Sequence, residues 1–238
     1  MIDWSWILDH LDVIASRTLQ HLYLATIAVV VGLVISLPLG VWAARRRAVR
    51  APVTAIAGIL YTIPSLALFA VLVPITGLSL LTAEIPLILY TILILFRNVV
   101  AGFDSVPAEV NDAADGMGYS SGRRLTAVEL PLALPLIVAG IRLATVSTIG
   151  LVTISGILGD RFGGLGFFIF EGYRRGFATE ILAGAVPSIL LAIGIDIVLV
   201  EGQRRLTPWE TAASDATSRG RGDLPGPRVP ASPPATGR

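Results

Sequence analysis

Few side chains in this sequence are equipped for covalent chemistry. Cysteine is absent, which removes thiolate nucleophiles, disulfides and zinc–thiolate sites. The two histidines, His10 and His21, lie near the N-terminus, so a histidine-based metal site or triad would have to be built there. Ser155 stands beside Gly156 in the manner of a nucleophile, yet no histidine follows it to act as its base. All 18 basic residues are arginine; a phosphate-binding loop needs its lysine, so this chain does not hydrolyse ATP by that route. No catalytic residue and no metal ligand is read from the sequence. The charged groups that remain of interest stand in apolar surroundings: Arg97 beside Asn98, Arg142 and Asp196. Ionisable groups at such positions are costly and mark functional paths, although an arginine near a span end also snorkels to the interface.

The elements that hold these groups follow from composition. Hydrophobic residues make up 54% of the chain, charged residues 15%, and the mean hydropathy is +0.76. A soluble domain carries about 25% charged residues, so the solvent for this surface is lipid. The net charge of +1, with no basic stripe beyond short loops, gives no footing for nucleic acid. Five runs are long and apolar enough to span a bilayer: Thr18 to Ala44, Pro52 to Thr76, Glu84 to Phe103, Pro131 to Ile157 and Glu180 to Glu201. In lipid such runs must satisfy their own backbone and are helices. The fold class expected is an all-α, multi-pass integral membrane protein.

Arginine placement orients the bundle. Arg45, Arg46, Arg47 and Arg50 follow the first span, Arg123 and Arg124 precede the fourth, and Arg204 and Arg205 follow the fifth. These place the first and third connections and the C-terminal flank in the cytoplasm, and the N-terminus outside. Arg161, Arg174 and Arg175 in the fourth connection run against the rule. Residues 1–17 recur as an amphipathic helix through Trp4, Ile7, Leu8, Leu11 and Ile14, which either lies in the outer interface or packs on the bundle. No basic n-region precedes it, so no cleavable leader is expected. Residues 207–238, rich in Pro, Gly, Ser and Ala, cannot bury a core and are expected to form a disordered cytoplasmic tail.

Depth supplies one pairing hypothesis. Arg142 and Asp196 stand about 16 and 12 Å from the ends of their spans at ~1.5 Å per residue, so they are expected to pair between the fourth and fifth helices. Water or backbone carbonyls would serve each equally. Pro64 and Pro74 are expected to kink the second span. Ser65, Thr145, Ser147, Thr148, Thr153 and Ser155 either line a polar path or hydrogen-bond across helices.

Residues 104–130 join the third and fourth spans, far longer than a turn. Val110, Ala113, Ala114 and Met117 recur at helical spacing, with Glu109, Asp112 and Asp115 on the remaining circumference. Gly116 and Gly118 end this short helix, a second helical piece runs to Glu129, and Pro131 opens the next span at a first-turn position. A small-residue face beside the membrane either docks in a partner's groove or packs on its own bundle.

The run Asp112-Ala113-Ala114, three residues, Gly118, nine residues, Val128, one residue, Leu130-Pro131 resembles the EAA motif of ABC importer permeases. It departs from that motif in Asp112 for Glu and Val128 for Ile. Thr62-Ile63-Pro64-Ser65-Leu66-Ala67-Leu68-Phe69, the segment from Val128 to Arg142 and Gly163-Gly164-Leu165-Gly166 extend the resemblance to the glycine betaine/carnitine/choline group, over Thr18 to Arg205. Methionine-type permeases share the coupling motif and the Gly-Gly-Leu-Gly.

The resemblance implies the MetI-like permease fold of a type I importer, with a cytoplasmic coupling helix. The subunit needs no cofactor of its own; ATP and Mg belong to separate ABC ATPase subunits. A second permease copy or paralogue and an extracytoplasmic solute-binding protein complete the machine in the bacterial inner membrane. Asp112, Ala113, Ala114, Gly118, Val128, Leu130 and Pro131 are then the coupling residues, and Pro64, Ser65, Gly163, Gly164 and Gly166 candidate gate or path residues. A stand-alone channel or secondary transporter is the rival class; such proteins often carry internal repeats, and none is found.

Overall fold

The computed structural model describes residues 2–207. Of the expected tail, 207–238, only Thr207 is among them, buried at the end of α10; residues 208–238 lie outside. The elements run α1 (Trp4–Asp9), α2 (Leu11–Arg45), α3 (Arg47–Thr62), α4 (Ser65–Thr76), α5 (Leu80–Asp104), α6 (Ala108–Gly116), α7 (Ser121–Arg124) and a π-helical turn (Leu125–Glu129). They continue through α8 (Leu130–Val152), a 3₁₀ turn (Ile154–Leu158), α9 (Gly166–Arg175) and α10 (Ala178–Leu206).

Four helices are long and apolar enough to cross a membrane alone: Leu11–Arg45, Leu80–Asp104, Ser121–Leu158 and Ala178–Arg205. The expected second span is instead a pair, Ala48–Thr62 and Ser65–Thr76, bent by 87°. A proline that only kinked the helix would leave it continuous. Here Pro64 offers no amide hydrogen and drives Ile63 into extended backbone (φ −65°, ψ 124°), so the helix stops and restarts. Pro74, by contrast, stays inside α4.

Tertiary contacts show that the bent pair is one crossing. Arg50 pairs with Asp104 at 2.6 Å and Arg45 with Glu129 at 3.2 Å. These contacts gather the C-terminal end of α2, the start of α3, the end of α5 and the approach to α8 on one side. On the other, Leu24, Phe69, Ala83, Leu87, Val152 and Leu158 share one core cluster. The bent pair therefore starts at one end of the bundle and arrives at the other before α5, which with the four long helices makes five crossings. Asp3 N–H donates to Thr179 Oγ1 at 2.9 Å, setting the start of α10 at the same end of the bundle as the N-terminus and Arg204 and Arg205 at the other. Of the discordant arginines, Arg174 and Arg175 both pair with Glu171, at 3.3 and 2.7 Å, and Arg175 also lies 3.8 Å from buried Glu180. These are anchored side chains, not free loop charges.

Helix α5 is the axis of the bundle, packed between α2 and α8. Ala28, Gly32, Ser36 and Gly40 recur every fourth residue on α2 and are all buried. A Cβ on Gly32 would stand 2.8 Å from Thr91, and the small stripe lets the two backbones approach closely. On the opposite side of α5, Gly102 lies against the backbone of Ala133 in α8. Dispersion at close range replaces the hydrophobic drive that lipid cannot supply.

The N-terminal amphipathic stretch is divided. Helix α1 is capped by the Asp3 carboxylate, which accepts from Trp6 N–H at 3.1 Å and the Ser5 hydroxyl at 2.6 Å; these bonds hold its carboxyl below the usual range. After His10, Leu11 already begins α2. Trp6 packs edge-on against Phe168 and Phe177, so α1 rests on the α9–α10 corner.

Candidate functional site: the coupling loop and the polar face

Helix α6 starts after Pro107, whose fixed φ suits a helix entrance, and ends at Met117. Gly118, at φ +77°, takes the left-handed conformation that closes a helix without a Cβ penalty, and its N–H donates to Asp115 O at 3.0 Å. The four residues expected on one face are divided. Ala114 is 1% exposed and Val110 half-buried, whereas Ala113 and Met117 are exposed, Met117 at 70%. Residues four apart share a helix face and adjacent ones do not. Val110 and Ala114 therefore turn toward the chain's own bundle, and Asp112, Ala113 and Met117 turn away from it.

Below α6 lies an ionic knot that the sequence reading missed. Glu129 is buried and accepts from Arg124 Nε at 2.8 Å and from Arg45 Nη2 at 3.2 Å. Arg124 also donates to Asp115 of α6 at 2.5 Å, and Arg45 to Ser121 O at 3.2 Å. One buried carboxylate thus joins α2, α6, α7 and α8. A charged residue enclosed in an apolar helical run was its only sequence signal.

Val128 and Leu130 are half-buried, Leu130 against the cluster of Val99, Ala133 and Ile137. Pro131 stands in the first turn of α8, as expected, although that helix continues the helical run that begins at Ser121. The preceding turn widens into a π-helix, with Leu130 N–H donating to Leu125 O. That turn makes room for a proline ring that would clash in a regular helix.

The remaining candidates divide between two places. Pro64 and Ser65 form the mid-membrane bend, where the Tyr90 hydroxyl donates to Ile63 O. Gly163, Gly164 and Gly166 are buried at the outer end, against α2 and the end of α8. Gly164 (φ +50°) donates its N–H to Gln20 Oε1 at 3.1 Å, while Gln20 Nε2 donates to Arg161 O at 2.6 Å. Fully buried His21 bridges the same loop: Leu165 N–H donates to Nδ1 at 3.3 Å, so Nε2 donates to Ile149 O at 2.8 Å. The histidine is a strut between helices, with both ring nitrogens occupied.

Arg142 and Asp196 form a two-pronged pair, Nε–Oδ1 at 2.5 Å and Nη2–Oδ2 at 2.9 Å. Their side chains remain 41% and 31% exposed, in a recess of about 450 Å³. Most hydroxyls near the path are spent on helix carbonyls: Thr145 donates to Ile141 O, Thr153 to Gly150 O and Ser155 to Val152 O. Thr148 meets Thr91 at 3.0 Å, joining α8 to α5.

Five crossings, a polar face at their depth and a short helix displayed at one end of the bundle are features of a membrane-transport component. Residues 36–209 match the pattern of the binding-protein-dependent transport system inner membrane component, and the chain belongs to that family. The glycine betaine/carnitine/choline transport system permease protein OpuCB of Bacillus subtilis is 38% identical over 81% of this chain and 88% of its own. The osmoprotectant import permease protein OsmW of Salmonella typhimurium is 38% identical over 85% of this chain and 96% of its own. The choline transport system permease protein OpuBB of Bacillus subtilis is 37% identical over 81% and 88%. Inward-facing structures of the MetNI methionine ABC transporter share the fold, with a TM-score of 0.71 at 24% identity over 82% of this chain and 96% of the matched chain.

Proposed function

We propose that this chain is the membrane-conducting subunit of an ABC importer for a compatible solute of the glycine betaine, choline, carnitine or proline kind. Separate ATPase subunits supply the energy with ATP and Mg, an external binding protein delivers solute, and a second copy or paralogue completes the conduit. The osmoprotectant permeases at 38% identity support this solute class, and the methionine transporter supports the fold.

The observation that carries the reading is the geometry of α6. Its outward rim of Asp112, Ala113 and Met117 is free for a partner's cleft, while Ala114 and the Arg124–Glu129–Arg45 knot fasten its other side to the bundle. A push on α6 therefore passes into α2 and α8 through buried charge and not through a slack loop. Gly118 sets where the helix ends, and Val128, Leu130 and Pro131 set how α8 leaves the knot. The Pro64–Ser65 bend is the deformable point of the conduit, and the loop at Gly163, Gly164 and Gly166 its outer closure. ATP-driven closure would then shift the bundle between inward- and outward-open populations.

The test is solute-stimulated ATPase activity and uptake in proteoliposomes holding the chain with its ATPase and binding protein. Ala113→Glu puts an unpaired charge on the docking rim and is expected to cut coupling by at least about tenfold with an unchanged Tm. Ala114→Glu forces charge into a buried site and is expected to lower Tm as well. Uptake by the chain alone, or an indifferent Ala113→Glu, would sink the reading; stimulation by methionine in place of betaine-like solutes would redirect it.

A further inference from the structure

Two recesses open side by side on one face of the bundle. The first, about 570 Å³, has α5 as its floor and α3 and α8 as walls, and is lined by Gly58, Tyr61, Thr62, Arg97, Asn98 and Leu143 among others. Leu143 also lines the recess of the Arg142–Asp196 pair, so the two adjoin. Their charges differ. Arg142 is neutralised by the two prongs of Asp196, whereas among the described residues no carboxylate pairs with Arg97.

Arg97 is exposed on this face, about 10 Å before the inner end of α5 at ~1.5 Å per residue. Asn98 spends one amide N–H on Ile94 O at 2.8 Å, leaving its other donor and its acceptor. Tyr61, 43% exposed, tilts against Tyr90 with ring centroids 5.0 Å apart and lines the recess. An arginine that only reached the headgroups would have no need of Asn98, Thr62 and Tyr61 around one cavity. A lone guanidinium at this depth faces water or a polar ligand, not hydrocarbon.

We propose that the Arg97 recess is a transient station for the solute's carboxylate on its way through the conduit. The guanidinium presents a fork of donors to a carboxylate, and Tyr61 presents an aromatic face to a quaternary ammonium. A zwitterion satisfies both ends, while choline, which carries the ammonium without the carboxylate, satisfies one. This assignment rests on the importer reading above and names the part of the solute that the membrane subunit itself recognises.

The experiment uses the complete importer in proteoliposomes, with glycine betaine and choline each saturating the binding protein. The quantity read is the ratio of their maximal uptake rates for wild type, Arg97→Gln and Arg97→Lys. Because the binding protein is the same throughout, a change in the ratio belongs to the membrane subunit. Arg97→Gln is expected to shift the ratio toward choline by about tenfold, an appearance of choline uptake counting as such a shift, with Arg97→Lys between the two. Equal loss of both solutes would mark Arg97 as structural, and an unchanged ratio would mark it as an interfacial anchor; either overturns the assignment. A wild-type importer that moves choline and no carboxylate-bearing solute overturns it too. Wild type that moves neither of these solutes, nor carnitine, nor proline would overturn the importer reading for this solute class and the station with it.

Discussion

At the scale of single residues, a charge in this protein means what its partner makes it mean. Arg142 and Arg97 are both intramembrane arginines, yet one is held by Asp196 in a two-pronged pair and the other has an open fork. Both members of the pair are partly exposed, so screening limits its strength, and its geometry is more informative than its energy. If the pair fixes α8 against α10, Arg142→Ala and Asp196→Ala should each reduce uptake, and the double swap Arg142→Asp with Asp196→Arg should recover part of it. Two damaging single changes with no recovery in the swap would show that the groups act separately. His21 teaches the same lesson. The sequence offered it as raw material for a metal site, and its two ring nitrogens are instead bonded to Leu165 N–H and Ile149 O.

At the scale of elements, proline has three outcomes set by what surrounds it. Pro38 and Pro74 stay inside α2 and α4, Pro131 is absorbed by a π-turn, and Pro64 breaks a span by 87°. The break persists because α4 turns fully buried Phe69 into the main core and the Tyr90 hydroxyl holds Ile63 O. Pro64→Ala restores an amide donor and frees Ile63 to become helical, at a position that no longer forbids a straight helix. It is expected to leave Tm nearly unchanged, since Phe69 and Tyr90 still hold the bend, while lowering uptake severalfold because the bend no longer has an enforced shape. Wild-type uptake in that variant would show that Phe69 and Tyr90 alone define the conduit there.

At the scale of the whole molecule, two polar fastenings clamp an otherwise apolar bundle. Outside, Gln20 and His21 tie α2 to the loop before α9 and to α8. Inside, Glu129 gathers Arg45 and Arg124. Between them the packing is mostly apolar or made of small residues, crossed by the Thr91–Thr148 contact and the Arg142–Asp196 pair. Glu129→Gln keeps the shape but leaves Arg45 without a carboxylate and Arg124 with Asp115 alone. Their partial exposure reduces the loss below that of a fully buried pair, to about 1–3 kcal/mol. The expected result is a lower Tm in detergent together with ATPase activity that no longer responds to solute. Full coupling in a destabilised Glu129→Gln would confine the knot to stability.

Much of this protein was legible before its structure. Composition alone forced a membrane solvent and apolar run length placed the spans, because each depends on local transfer energies that need no partner. The spacing from Asp112 to Pro131 marked the loop that folds as α6 and the turns leading into α8. What required the tertiary structure was every property that depends on two distant segments meeting. The small-residue face of α6 is divided, Ala114 inward and Ala113 outward, on a helix tied to the bundle through Asp115, Arg124 and Glu129. The second span breaks at Pro64 where a kink was expected, because Phe69 finds the core only when α4 turns. The glycines at 163, 164 and 166 are buried for close packing with α2 and α8, a reason a single sequence cannot disclose. Periodicity and hydropathy report on a helix and its solvent; the partner of a buried carboxylate lies many residues away and is chosen by the fold.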